Sequence, residues 1–134
     1  MLIFSILLPL WQEKERRKIP MYTLSENLPR KEMKAFDGMG TVLSTILTDK
    51  EGLYGHGRLF NHSIINPGCS IGYHVHNNET EFYYILKGEA VFNDDGKEVI
   101  LHAGDIGITG YGQGHALENR SNEPVEMIAL IIME

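Results

Sequence analysis

With 134 residues and a formal charge of −6, the chain is long enough for one domain with a buried core and too short for two. The 12 basic residues are outnumbered by 18 acidic ones and are not gathered on the predicted strands, which excludes nucleic acid as a partner. The single cysteine, Cys69, forbids an intrachain disulfide, and with six methionines it fits a reducing, cytoplasmic location.

Met1 to Trp11 is almost wholly apolar and is followed by the charged run Gln12 to Lys18. A bilayer-spanning helix needs about 20 residues, so this segment is too short to cross a membrane. A secretory signal would carry its positive charges before the apolar run and a small-residue cleavage site after it, and this segment has neither. Residues 1–20 are therefore set apart as an apolar and basic extension. It is expected to pack as an extra strand on a sheet edge, its own or a partner's; the alternative is a natural start at Met21. Residues 21–134 form the single domain. Ser25 to Ala35 reads as polar and turn-like, with one helical turn after Pro29. Thr41 to Leu47 is the first predicted strand, Asp49 to Tyr54 a loop or short helix, and Arg58 to Ile65 a second strand. Asn66-Pro67-Gly68 is a turn, and Cys69 beside it has a structural role. Further strands are predicted around Ser70–His76, over Glu79–Leu86, Glu89–Phe92, Glu98–Leu101 and Ile106–Thr109, and over Val125–Met133. Asn93-Asp94-Asp95-Gly96 is a hairpin signal. About nine short strands separated by turn residues predict an all-β sandwich or jelly roll.

The chemistry is concentrated in two stretches. In the first, Gly68, His74, His76, Glu81 and Gly88 follow at fixed spacing, and His74 and His76, two residues apart in a strand, leave from one face. Glu81, Tyr83 and Ile85 share one face of the next strand, and Phe82, Tyr84 and Leu86 share the other. Pairing of these strands through Asn77-Asn78 would set Glu81 beside the two histidines. In the second stretch Gly104, Gly110, Gly112, His115 and Asn119 are spaced, and Leu117 and Asn119 share the face of His115. An HxH pair alone is weak evidence. The pair with a following carboxylate and a distant histidine in a second glycine pattern is a strong metal signal. His56, His62 and His102 read as hydrogen-bonded or surface residues; Glu79, two before Glu81 and on its face, reads as a solvated loop carboxylate, with an exchange ligand or a group behind the ligands as the alternative. The run Gly110 to Gly114 leads into a strand and not a helix N-terminus, so it is no phosphate loop. Three imidazoles and a carboxylate suit Mn(II), Fe(II), Ni(II), Co(II) or Zn(II) by ligand type. A cavity lined by Tyr83, Ile85, Leu117 and Met127 would hold a small polar anion and exclude bulk water. Arg58 is the one arginine on a strand entering it, placed to pair bidentately with a substrate carboxylate.

Both motifs resemble those of the cupin superfamily, over about Thr41 to Met133. The resemblance implies a double-stranded β-helix (jelly-roll) barrel with His74, His76, Glu81 and His115 as ligands of one divalent metal per chain. Proline is usual where this chain has Gly110, which implies a looser turn. The compact single-barrel layout looks most like small oxalate-decarboxylase-like cupins, which implies manganese and a short dicarboxylate such as oxalate bound beside Arg58 and Tyr83. A proton donor on a mobile lid, as decarboxylation requires, has no counterpart here. An iron-dependent dioxygenase or isomerase and a non-catalytic small-anion-binding cupin are the alternatives. The apolar N-terminal segment leads to the expectation of a homodimer.

Overall fold

The computed structural model describes residues 19–134. The expectation that residues 1–18 pack on a sheet edge therefore falls outside the described residues. Ten strands follow a short 3-10 turn at Ser25–Asn27. They are β1 (Arg30–Met33), β2 (Val42–Thr48), β3 (Gly57–Ile65), β4 (Ser70–Val75), β5 (Glu79–Lys87), β6 (Glu89–Asp94), β7 (Lys97–His102), β8 (Ile106–Thr109), β9 (Gly114–Glu118) and β10 (Val125–Met133). One sheet has the order β1-β2-β3-β10-β5-β8 and the other β4-β9-β6-β7. Two antiparallel sheets facing each other around a core make the expected all-β jelly roll.

Where alternation is strong in the sequence, the structure follows it. In β5, Glu81, Tyr83 and Ile85 point inward and are buried, while Tyr84 and Leu86 are exposed. Ile65, Ile85, Leu117 and Val125 meet between the sheets with no exposed surface, and Met127 joins them. Burying each of these side chains stabilises the fold by roughly 1.5–3 kcal/mol. Cys69 packs against this core, as its structural reading required.

Three expectations are corrected. Arg30–Met33, read as turn-like, is an edge strand that pairs with β2 from Arg30↔Thr45 to Met33↔Val42. All four of its residues are exposed, so no apolar face was available to write an alternation into the sequence. The helical turn lies before Pro29 instead of after it. More consequentially, β4 and β5 do not pair with each other. They lie on opposite sheets, and Asn77 and Asn78 carry the chain across the barrel.

The outer surface is divided. Glu89, Lys97 and Glu98 charge the β6–β7 hairpin. On the larger sheet the outward residues Tyr84, Leu86, Ile106, Ile108 and Ile132 are apolar and exposed. Among the described residues no helix is long and apolar enough to cross a membrane.

Candidate metal centre

The metal-type cluster is assembled from both sheets. His74 stands in β4 directly opposite His115 in β9. His76 follows just past the end of β4, and its backbone is clamped by the loop from the second motif: its N–H donates to the Gln113 carbonyl at 3.0 Å and its carbonyl accepts from Gly112 N–H at 2.7 Å. That loop is closed on itself as well. Gly110 N–H donates to Gln113 Oε1 at 2.9 Å, and Gln113 N–H returns to the Gly110 carbonyl at 3.1 Å. A proline at position 110 could not make the first of these bonds. The glycine that promised a looser turn thus supplies a hydrogen bond that ties the turn. Glu81 comes from the other sheet, opposite Thr109 of β8.

Nε2 of His115 lies 3.0 Å from Nε2 of His74 and 3.1 Å from Nε2 of His76. On their far sides the three rings are fixed by acceptors. Nδ1 of His74 donates to the Gly72 carbonyl at 2.8 Å, and Nδ1 of His76 donates to Glu79 Oε1 at 2.7 Å. Nδ1 of His115 is paired with the Thr109 hydroxyl at 2.8 Å, which accepts in the same arrangement. With the proton on Nδ1, each ring turns a bare Nε2 lone pair toward the other two. Glu81 Oε1 faces the same point, at 3.0 Å from His115, 3.5 Å from His76 and 3.8 Å from His74. This buried oxygen has no hydrogen-bond partner among the described residues.

Four convergent electron pairs repel one another unless a cation lies between them. Nitrogen donors about 2.1 Å from a common ion and at right angles to each other stand about 3 Å apart, which is the spacing of these rings. His74, His76, Glu81 and His115 therefore fit a divalent metal in donor type, burial and separation. Burial alone would raise the Glu81 carboxyl, but the imidazoles of His115, His74 and His76 and the Tyr83 hydroxyl outweigh it, and the group stays ionised far below the usual carboxylate range. Contact with Glu81 raises the pKa of His76 against the opposing effect of burial. Burial lowers that of His115, offset only in part by Glu81.

Glu79 is not the solvated loop carboxylate that was the first expectation; it takes the alternative place, behind a histidine of the cluster. Its side chain is 14% exposed and is held between two partners. Arg58 Nε donates to Oε2 at 2.6 Å and Nη2 to Oε1 at 2.7 Å, while Oε1 also receives His76. Bonding to Arg58, together with His76, brings the Glu79 carboxyl down to about 2 despite its partial burial. One edge of the Arg58 guanidinium, foreseen as a substrate clamp, is thus engaged within the protein. Tyr83 is buried and stacks on His115, with centroids 4.6 Å apart and planes 15° off parallel. Burial, and after it the charge of Glu81, raises its pKa well above the ordinary value, so its hydroxyl stays protonated.

A cavity of about 300 Å³ opens beside the cluster, with Arg58, Glu81, Tyr83 and Met127 in its wall. Ile85 and Leu117, expected in that wall, belong to the packed core behind it. A larger hollow of about 660 Å³, between residues 19–23 and 46–49, holds no cluster of ligating side chains. His62 and His102 sit beside Glu126 and Glu89, away from the centre.

Two contributors escaped the sequence reading. Thr109, six residues before His115, sets that ring. Phe36 stacks on His74 with centroids 3.7 Å apart and planes 8° off parallel, although it is 59% exposed. Its φ of +49°, followed by +57° at Asp37, is a left-handed pair without glycine, which no sequence signal announces. The loop is seated by Gly72, where a Cβ would lie 1.9 Å from the Phe36 carbonyl oxygen, so only glycine lets the two backbones approach.

A two-sheet β-barrel carrying a three-histidine, one-carboxylate cluster at the mouth of a small cavity is the class of protein that fold and site define. The chain belongs to the cupin domain family, which it matches over residues 61–131. It is 41% identical over 109 residues to an oxalate-binding protein of Thermotoga maritima, covering 81% of this chain and 90% of that one. Among solved structures it resembles a protein described as a predicted oxalate decarboxylase, also from Thermotoga maritima. There the TM-score is 0.81 and the identity 38%, over 85% of this chain and 100% of that one. An RmlC-like cupin from Shewanella frigidimarina shares the fold, with a TM-score of 0.67 at 14% identity over 87% of this chain and 93% of the other.

Proposed function

We propose that the chain binds one divalent metal, Mn(II) in the first place, through His74, His76, Glu81 and His115, and uses it to hold a small carboxylate such as oxalate. The observation that carries this is the convergence of three Nε2 lone pairs on a buried Glu81 oxygen without a partner among the described residues, with Glu81 itself in the cavity wall. The likeness to an oxalate-binding protein supports the ligand class. A bound metal supplies Lewis acidity toward carboxylate oxygens. The protein's own groups do the rest. Arg58, steadied by Glu79, offers its remaining N–H groups to the ligand, and Tyr83 keeps a protonated hydroxyl on Glu81 and fixes that carboxylate's orientation. Phe36 covers the outer face of His74 and narrows the approach of water.

The reaction in keeping with this ligand is an oxalate-decarboxylase-like cleavage. The carbon–carbon bond of the oxalate dianion breaks, carbon dioxide leaves, and one delivered proton takes its place to give formate. Among the described residues the cavity wall contains no carboxyl besides Glu81, which is held ionised, so of these residues Lys31 is the one cation besides Arg58 that could deliver that proton, with solvent as the other source. This feature favours, as a second reading, a cupin that binds the anion without turning it over. Calorimetry on the metal-loaded protein with oxalate, malonate and glyoxylate, combined with a formate assay, tests both. Metal-dependent heat with formate release supports the lyase, and heat without formate supports the binder. No metal-dependent heat with any of the three acids refutes the carboxylate site. The apolar outer face of the larger sheet supports a further proposal, that the chain works as a homodimer.

A further inference from the structure

The cavity that Glu81 lines has a polar end that the metal-type cluster does not use. Strands β3, β10 and β5 are neighbours, and their register sets Asn61 opposite Ala129 and Ala129 opposite Tyr83. Ala129 contributes only a methyl group, so the row is hollow between the amide and the phenol. In the adjacent row, Ser44 lies opposite Ser63, and their hydroxyls are 3.2 Å apart. Asn61, Ser44, Ser63 and Ala129 line the same cavity as Glu81 and Tyr83.

Asn61 is only 5% exposed, and its side-chain amide makes no hydrogen bond with any described residue. The contrast with the other buried asparagine is plain. Asn119 donates from Nδ2 to the Ile65 and Glu123 carbonyls at 2.9 and 2.7 Å, and its Oδ1 accepts from the backbone N–H and the hydroxyl of Ser121. Asn119 is a saturated structural residue. Asn61 lines the cavity with two donors and an acceptor that no described side chain or backbone group engages, so they are available to a ligand that enters it.

We infer that Asn61, backed by the Ser44–Ser63 hydroxyl pair, is a second ligand subsite that receives the distal hydroxyl or carbonyl group of an acid whose carboxylate lies at the metal cluster. This rests on the carboxylate reading above and adds what would discriminate among acids. Asn61 and Glu81 stand on strands two places apart, about 10 Å between backbones and one inward position out of register, so a hydroxy- or keto-dicarboxylate longer than oxalate is better matched to reaching both. Lys31 and Arg58 in the same lining match the charge of such a dianion.

The test compares L-malate with oxalate by calorimetry on the full-length, Mn(II)-loaded protein and its Asn61→Leu, Asn61→Ala and Asn61→Ser variants. Removing hydrogen bonds to the distal group should weaken malate about 10-fold more than oxalate in the leucine and alanine variants, and serine should recover part of the difference. The ligand-free melting temperature should hold steady or rise by a few degrees in the leucine variant, because an unpaired amide is exchanged for an apolar side chain of similar size. An unchanged malate-to-oxalate ratio overturns the subsite, since the amide is then completed by water alone. A parallel loss for both acids with a lowered melting temperature overturns it too, by assigning Asn61 a structural role. If the parent protein binds neither acid, the carboxylate reading itself fails; if it binds oxalate and the ratio is unmoved, only the subsite does.

Discussion

Replacing Glu79 with alanine removes one carboxylate and leaves two partners without their acceptor. His76 loses the 2.7 Å bond that keeps the proton on Nδ1 and the ring in register, and Arg58 loses both bonds of its fork. Partners that orient a ligating histidine contribute roughly 10–100-fold to metal affinity, about 1.4–2.8 kcal/mol. The effect on the metal-free fold should be smaller. Arg58 is 43% exposed, so its ion pair is screened and belongs with surface pairs worth about 0–1 kcal/mol. Glu79→Gln keeps an oxygen for His76 and should fall between alanine and the parent. Competition against a chromogenic chelator gives the metal affinity, and thermal melting of the metal-free protein gives the stability. The Glu79 carboxyl is depressed to about 2, first by its bond to Arg58. A depressed carboxyl contributes stability that is present above its unfolded value and lost as the pH falls through about 2. Glu79 itself is ionised throughout about pH 5 to 8, but it also helps Glu81 raise the His76 pKa, so the alanine deficit should grow as the pH falls through the His76 titration. Metal affinity within twofold of the parent would refute the positioning role of Glu79.

Three further outcomes are expected. His76→Ala should abolish stoichiometric metal by elemental analysis, and full occupancy in that variant would sink the ligand assignment. Metal affinity should weaken as the pH falls, because the imidazoles must be neutral to ligate. Contact with Glu81 raises the His76 pKa, so proton competition should begin above the ordinary histidine value, and affinities that stay constant from about pH 8 to 5.5 would contradict it. By light scattering the full chain should be a dimer, and deleting residues 1–20 should weaken it if that segment borders the interface. A monomeric full-length protein rejects the dimer, and an unchanged dimer rejects only the segment's part in it.

What was legible in the sequence was local. His74, His76, Glu81 and His115 could be picked out because ligand spacing on strands is fixed by a two-residue period, and the inward face of β5 could be read from the same alternation. What failed was long-range or unpatterned. The sequence placed Glu81 beside the histidines through a hairpin, whereas the barrel brings it there from the opposite sheet. The right cluster was reached by the wrong path, because adjacency in the chain does not say which sheet a strand joins. Glu79 looked solvated because nothing local marks its partner Arg58, 21 residues earlier. Phe36 and Asn61 were invisible for a related reason. One depends on a left-handed backbone without glycine, the other on which strand lies two places away.

The division of the ligands between sheets also explains why so much of the chain serves the centre. His74, His76 and His115 come from the β4–β9 side and Glu81 from β5, so any cation held by all four links the two halves of the barrel. Converging lone pairs destabilise the metal-free fold, and each ring must be kept from turning away. The Gly72 carbonyl, Glu79 and Thr109 do this from three different strands or their ends. Gly72 also admits the Phe36 loop that packs on His74, and Gly112 and Gln113 clamp the backbone of His76. Gly72, whose missing Cβ admits the Phe36 backbone, and Gly112, whose N–H holds the His76 carbonyl from a left-handed conformation, therefore serve the same end as the histidine spacing: they help keep His115 Nε2 about 3 Å from Nε2 of His74 and of His76, a separation that suits donors to one ion.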